Sequence, residues 1–349
     1  MLEFFTVGVS VVLALLTPPL ETDNNFLVTA FSYGSVKEQF KINLDNQPLA
    51  TELLFTGDIM LARNVEKLME DYGQDYPFSG IKSITQGAGF TIGNFEAAVP
   101  KKHISTLNST LRFSVKESFL TQLQLAGFDY LSLANNHSYD YGSEGLKSTR
   151  QFFQAYDLVD FGGPGQLTER SVSYLSLKDG RTLALVGLTT LNNNHYTKAQ
   201  ITALFEAINK QSDIQIVYIH WGEEYQSYHS NKQERMARFL ITAGADAIIG
   251  HHPHVVQDIQ VYHGVPVFYS LGNFIFDQYF STAVQEGLLL KLSLTELNID
   301  YELIPITSIG SRSRPYIMAP YERHKFLTDL ASRSNPKLKT QIHSGQLQF

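Results

Sequence analysis

Short apolar runs alternate with amphipathic stretches along most of the chain, and each kind of run is bounded by glycine or polar residues. Apolar runs of four to eight residues between turn signals are typical of buried strands. Longer stretches with apolar residues at a spacing of three or four are typical of helices. The pattern predicts strands at 53–56, 91–93, 130–136, 183–188, 214–221, 247–250, 259–262, 265–272, 287–294 and 300–307. It predicts helices at 61–72, 115–127, 143–156 and 231–245.

This alternation of strands and helices predicts the α/β class, with a sheet core covered by helices. The consecutive strands at 287–294 and 300–307 predict that part of the sheet is antiparallel. We assign residues 51–310 to this main domain and residues 311–349 to a C-terminal tail with one helix and a loose end.

The N-terminal segment differs in character from the domain. Residues 4–16 form an unbroken apolar run that ends before two prolines. We interpret residues 1–20 as a signal peptide or membrane anchor, and residues 21–50 as a linker or stalk. The run is shorter than the roughly 20 residues of a full span, and neither a preceding basic residue nor an A-x-A-like cleavage site accompanies it. A buried N-terminal helix or strand is the alternative. We expect an extracytoplasmic protein that is membrane-anchored or secreted.

Composition narrows the classes of partner and ligand. The chain has 27 basic and 34 acidic residues, a formal charge of −7, and no basic cluster, so we expect no nucleic-acid partner. It has no cysteine, which excludes disulfides, thiolate metal sites and a cysteine nucleophile. Any metal ion must therefore be bound by histidine, carboxylate or amide side chains.

Several predicted strands stop abruptly at residues of that kind. Ligands in α/β sheets bind beyond the carboxyl ends of strands, so side chains distant in sequence can converge there. The candidate metal ligands at these ends are Asp58, Glu96, Asn136, His220, His252 and His254. Mixed carboxylate, amide and imidazole donors suit one or two divalent ions such as Mn, Zn or Fe.

Single residues of this set have simpler interpretations. Asp58 alone also fits a turn or a helix N-cap, and His220 alone fits a core histidine. Three imidazoles within residues 251–254 are harder to explain, because burying them without partners is costly. His251 and His252 are alternative ligands at this point, whereas His254 is the firmer candidate.

Six segments carry a resemblance to a known family. They are TGDIMLAR, IGNFEAAVP, LANNHSYDYG, HWGEEY, GHHPHVVQ and YSLGNFIFDQ, in this order between residues 56 and 278. The series resembles the capsule synthesis CapA family, which is named for poly-γ-glutamate capsules. The resemblance implies a metallophosphatase-like fold, a four-layer αββα sandwich with mixed sheets. It also implies export, membrane attachment and a role in making, anchoring or moving poly-γ-glutamate.

The order of motifs is similar to that of dinuclear metallophosphoesterases, with two departures. Met60 stands where those enzymes have a metal-binding histidine, and Glu96 stands where they have an aspartate. The count of one or two metal ions therefore stays open.

The catalytic candidates are His137, Asp140 and Arg63. We expect His137 to stabilise or protonate a leaving group, with Asp140 orienting its ring. Arg63 has two interpretations. Its guanidinium either binds a carboxylate or phosphate of the substrate through two hydrogen bonds, or forms a salt bridge on the helix surface.

Two functions follow from these residues. One is a divalent-metal-dependent hydrolase or transferase that acts on an anionic cell-surface polymer such as poly-γ-glutamate. The alternative is a non-catalytic, membrane-anchored component that binds polyglutamate beside membrane synthase subunits.

Overall fold

The computed structural model describes residues 50–191 and 196–349. The predicted segments 1–20 and 21–50 lie outside the described residues, apart from residue 50. No helix in the described part of the chain combines the length and the apolar character that crossing a bilayer requires.

Two mixed sheets form the centre of the molecule. The strands of the first sheet are β1 (Thr51–Ile59), β2 (Phe90–Phe95), β3 (Tyr130–Ser132), β4 (Val159–Phe161), β11 (Asn273–Ile275), β12 (Glu286–Leu294), β13 (Ile299–Thr307), β14 (Tyr316–Ile317) and β15 (Gln346–Leu347). Those of the second are β5 (Val172–Ser176), β6 (Thr182–Thr189), β7 (Ile214–His220), β8 (Ala247–His251), β9 (Ile259–Tyr262) and β10 (Val265–Phe268). The first sheet has the order β14-β13-β12-β1-β2-β3-β4, and the second β5-β6-β7-β8-β10-β9.

Strand direction within the sheets follows from the connections. Strands β1 to β4 are mutually parallel, as are β6, β7 and β8, and helices connect most of them. Strands β12 and β13 pair antiparallel along their full length, which confirms the prediction for residues 287–307. Their short connection permits this pairing, whereas parallel neighbours need a longer crossover.

Three apolar clusters define four layers. The helices are α1 (Arg63–Tyr72), α2 (Lys82–Thr85), α3 (Leu120–Leu125), α4 (Gly142–Ala155), α5 (Lys198–Ile208), α6 (Asn231–Ala243), α7 (Pro320–Arg333) and α8 (Lys339–Ser344). One cluster lies between the sheets and includes Phe55 and Ile216. A second packs α1, α3 and α4 on the outer face of the first sheet, and a third packs α5 and α6 on the second. The predicted αββα sandwich with mixed sheets is confirmed.

The C-terminal segment differs from the predicted tail with one helix. Residues 311–349 form two helices and two short strands, and β15 pairs with β13. Leu338, Ile342 and Leu347 are buried in the cluster between the sheets. The sequence predicted a loose end because the last dozen residues are mostly polar. Only three apolar side chains at suitable spacing fix this segment to the core.

Candidate metal centre

The carboxyl ends of strands from both sheets meet at one place. Asp58 lies near the end of β1, and its strand partner in β2 is Asn94, two residues before Glu96. In the second sheet His220 ends β7 and pairs in register with His251, which ends β8. Parallel pairing in these registers places the polar residue of each strand at the same edge.

Two groups of buried side chains lie close enough to hold metal ions. Glu96, His252 and His254 form one group, and Asp58, Glu96 and His220 form the other, with ligand atoms in each group within 4.8 Å of one another. Glu96 belongs to both groups. Its Oε1 lies 3.8 Å from His254 Nε2 and 3.9 Å from His220 Nε2. A carboxylate shared in this way is the arrangement expected of a bridging ligand.

The hydrogen bonding of Glu96 supports this assignment. The residue is fully buried, and neither of its carboxylate oxygens has a hydrogen-bond partner within the described residues. His252 Nδ1 is likewise buried without a partner among them. Burying a charge or a polar atom without compensation is costly, so such atoms usually have a further partner. Carboxylate oxygens and imidazole nitrogens together fit a divalent cation.

Burial acts differently on the two carboxyl groups. Burial raises the pKa of Glu96 well above its ordinary value, because the charged form loses its hydration. Burial also opposes ionisation of Asp58, but interactions with His251 and His254 outweigh it and hold the pKa of Asp58 well below its ordinary value. The site therefore favours the charged form of Asp58 and disfavours that of Glu96.

The three histidines of the two groups also differ in pKa. Burial lowers the pKa of His220 well below its ordinary value and lowers that of His252 to about 4. Burial opposes protonation of His254 too, but the nearby carboxylates of Glu96 and Asp58 raise its pKa to about 9. Because a metal ion takes the neutral imidazole, His254 must lose a proton when it becomes a ligand.

Two asparagines outside the six candidate ligands hold the site together. The Asn94 amide donates to Asp58 Oδ1 over 2.7 Å and lies 3.2 Å from His220 Nδ1. The Asn135 amide donates to Asn94 Oδ1 over 3.1 Å, and Asn135 Oδ1 accepts from the backbone N–H of His137 over 3.0 Å. The position of Asn94 beside Asp58 in the parallel register is the signal that could have identified it.

Asn136 lies beside a histidine of the centre. Its Oδ1 lies 2.8 Å from His220 Nε2. His254 has a comparable partner, since its Nδ1 lies 2.9 Å from Asn273 Oδ1 and 3.2 Å from Asp58 Oδ2. The contact with Asn273 fixes the ring of His254 with Nε2 towards Glu96, as outer contacts of metal-binding histidines commonly do.

The positions of His251 and His252 differ. His252 belongs to a metal-binding group, and its backbone N–H donates to Asp58 Oδ2 over 3.3 Å. His251 packs its ring on Tyr218 at 4.0 Å between centroids, and its Nδ1 lies 3.5 Å from Asp58 Oδ1. His251 thus lies beside Asp58 but outside both groups.

His137 and Asp140 form a pair at the edge of the centre. His137 Nδ1 lies 2.9 Å from Asp140 Oδ2, and its Nε2 lies 3.8 Å from Glu96 Oε1. Phe113 stacks on the imidazole at 4.1 Å between ring centroids, and its backbone N–H donates to Asp140 Oδ2 over 2.6 Å. The ring is therefore held with Nε2 towards Glu96.

Arg63 lines a cleft in front of this pair. The cleft has a volume of about 530 Å³, and both His137 and His254 contribute to its wall. The guanidinium of Arg63 forms an ion pair with Asp277 and lies over the ring of Phe113 at 4.7 Å. The salt-bridge alternative for Arg63 is thus present, with a partner 214 residues away rather than on its own helix.

The chain is similar in sequence to known proteins. The family model described as "Bacterial capsule synthesis protein PGA_cap" matches residues 52–278. The chain is similar to the "PGA biosynthesis protein CapA" of Bacillus subtilis, with 30% identity over 339 residues, covering 93% of this chain and 88% of the relative. It is also similar to the "Capsule biosynthesis protein CapA" of Bacillus anthracis, with 31% identity over 331 residues, covering 86% and 79%.

A solved structure with a related chain trace is named "Putative 5'-Nucleotidase from Staphylococcus aureus in complex with alpha-ketoglutarate". The TM-score is 0.48 and the sequence identity 13%, over 84% of this chain and 58% of that chain. The present chain therefore spans less than two thirds of that protein.

Proposed function

The chain belongs to the PGA_cap family of bacterial capsule synthesis proteins, and on that basis we propose that it is a divalent-metal-dependent hydrolase or transferase. The substrate we propose is an anionic cell-surface polymer, and poly-γ-glutamate is the first candidate. The observation that carries this proposal is the fully buried Glu96, shared by two ligand groups and without a hydrogen-bond partner among the described residues. A remnant of a disused site would be expected to compensate that carboxylate.

Separate residues would bind the metal and transfer the proton. Asp58, Glu96, His220, His252 and His254 would hold the metal, with Asn136 beside His220. When bound, a divalent ion supplies Lewis acidity towards a substrate oxygen and lowers the pKa of a water nucleophile.

His137 has the geometry of a proton donor. Asp140 accepts from Nδ1–H and stabilises the imidazolium, while Nε2 points towards Glu96 and can protonate a leaving group at the cleft. Phe113 excludes water from one face of the ring.

Location outside the cytoplasmic membrane is part of the proposal. It is supported by the apolar run at residues 4–16 and by the membership of a capsule family. Membrane synthase subunits are the protein partners that we propose.

A second function is favoured by one observation. Met60 stands where the wider phosphoesterases have a histidine; it is fully buried, and its sulfur accepts from the backbone N–H of Ala62 over 3.1 Å. This position therefore adds no imidazole to the centre, which favours a non-catalytic polymer-binding component.

Metal content separates the two functions. The full chain is purified without chelators, and the wild type is compared with Asp58→Ala, His254→Ala and the control His263→Ala, which changes an exposed histidine in a turn. We expect about two ions per chain in the wild type and the control, and loss in the other two variants. Esters and γ-glutamyl amides are then tested for turnover. Absence of metal after reconstitution with Mn²⁺ and Zn²⁺ would contradict the hydrolase and support the binding component.

A further inference from the structure

A strained turn of the C-terminal segment lies at the rim of the cleft. Arg312 follows β13 in the chain and lines the cleft, although it lies outside residues 52–278 that match the family model. Arg312 and Ser313 have φ values of 38° and 56°, in the left-handed region. Such conformations are strained for residues other than glycine and persist only where surrounding contacts impose them.

Hydrogen bonds from the cleft wall impose this turn. Ser313 Oγ donates to the backbone oxygen of Phe276 over 2.8 Å and lies 2.6 Å from the hydroxyl of Tyr279. Asn64 donates to the same hydroxyl over 3.0 Å. Because these partners all belong to the cleft, the turn holds Arg312 in a defined place on its rim.

Arg312 supplies a positive charge that the cleft does not neutralise. Its guanidinium lies over the ring of Tyr279 at 5.6 Å from the centroid, and it forms no salt bridge with the carboxylates of the described residues. Arg63, the other arginine of the cleft, is paired with Asp277. The exposed carboxylate of Glu224 interacts with Glu96 and His254, at the metal-binding end. The positive charge of Arg312 therefore lies at the rim without a salt-bridge partner among the described residues.

An apolar wall accompanies this charge. Phe280 and Tyr225 line the cleft and pack edge to face with their ring centroids 5.1 Å apart. Both rings are exposed, at 66% and 42% of their surfaces. A ligand that carries a carboxylate beside a pair of methylene groups could pair its carboxylate with Arg312 and pack its methylene groups against the two rings. Each residue of a γ-linked glutamate chain has that composition.

We propose that Arg312 binds a free α-carboxylate of the γ-linked glutamyl polymer, at a residue removed from the bond that reacts, while Phe280 and Tyr225 pack against its methylene groups. This inference rests on the proposed function, since it takes that polymer as the ligand. It assigns substrate recognition to the C-terminal segment, for which the sequence motifs indicate no role.

Binding tests the assignment without requiring turnover. Calorimetry measures the affinity of a γ-linked glutamate hexamer for the full metal-loaded chain at low salt. Arg312→Gln is expected to raise Kd about fivefold, the effect of one partly exposed ion pair of about 1 kcal/mol. Arg312→Lys is expected to retain most of the affinity. The control Arg314→Gln changes an exposed arginine over Tyr76, outside the cleft, and is expected to leave Kd unchanged.

A second probe isolates the charge. The same hexamer with its α-carboxylates amidated is expected to bind the wild type and Arg312→Gln equally, and thermal melting checks that the variants are folded. Equal loss in Arg312→Gln and Arg314→Gln, or no loss in Arg312→Gln, overturns the role of Arg312 and leaves the proposed function intact. If the wild type binds neither hexamer, both the substrate class and this inference are wrong. If it binds the polymer without turnover, only the catalytic proposal fails.

Discussion

Replacement of Glu96 by glutamine should have opposite effects with and without metal. The substitution keeps the shape of the side chain and removes its charge. Both carboxylate oxygens are buried without a hydrogen-bond partner among the described residues, and burial raises the pKa of the group well above its ordinary value. In the metal-free protein the charged form of Glu96 is therefore unfavourable.

The sign of the pH dependence follows from that shift. The folded state binds a proton more tightly than the unfolded state, so the metal-free wild type loses stability as pH rises above about 4.3. Glu96→Gln lacks this loss. At neutral pH we expect the metal-free variant to be the more stable protein, by about 1.4 kcal/mol for each unit by which burial raises the pKa of Glu96. For a domain of this size each kcal/mol raises Tm by roughly 2 °C.

Metal should reverse the order of the two proteins. A ligand at one hundred times its Kd stabilises the folded state by about 2.7 kcal/mol. Glu96→Gln lacks the charge shared by both ligand groups and should gain little at the same metal concentration. The assay is thermal melting in EDTA and in Mn²⁺, with Glu223→Gln, an exposed carboxylate, as the control. The reasoning is refuted if the variant melts at or below the wild type in EDTA throughout about pH 5–8, or if Mn²⁺ stabilises both equally.

Two further predictions concern the framework. A Cβ at Gly57 would lie 2.0 Å from a backbone oxygen, so Gly57→Ala should cost about 3 kcal/mol or more in urea denaturation. Gly264→Ala, with φ 85° and open space around it, should cost about 1 kcal/mol, and equal costs would contradict the clash. Burial opposes ionisation of Asp258, but hydrogen bonds, first that of His229, hold its pKa below the ordinary value. This stability is present above the unfolded pKa of about 3.9 and is lost as pH falls through the folded pKa, so Asp258→Asn should cost about 1–3 kcal/mol at neutral pH and less in acid. A constant difference across an acid titration of stability would contradict it.

Most of the layered architecture could be predicted from the chain. Apolar runs, helical spacing and the short connection between β12 and β13 are local features, and they indicated strands, helices and antiparallel pairing. Helix α5, of 11 residues, and several short elements escaped prediction. Strands β4 and β15 have three and two residues, which is too few for a periodic signal, and their partners in the sheet decide their conformation.

The sequence by itself determined which kinds of side chain stand at the ends of strands, because that depends only on the chemistry and position of each residue. It therefore identified Asp58, Glu96, His220 and His254 as candidate ligands. Only the tertiary structure decided that Glu96 is shared by two groups and that His252 rather than His251 belongs to one of them. These relations depend on the register between parallel strands and on the packing of two sheets.

The two arginines of the cleft also show what the sequence could and could not determine. Arg63 was a candidate for substrate binding, but its ion pair with Asp277 joins residues 214 positions apart. Arg312 had no local signal at all, since arginine in a polar segment is typical of any surface. Its place at the rim results from hydrogen bonds with Phe276 and Tyr279 through the neighbouring serine. Contacts over such separations arise only when the chain has folded, so no local pattern could have predicted them.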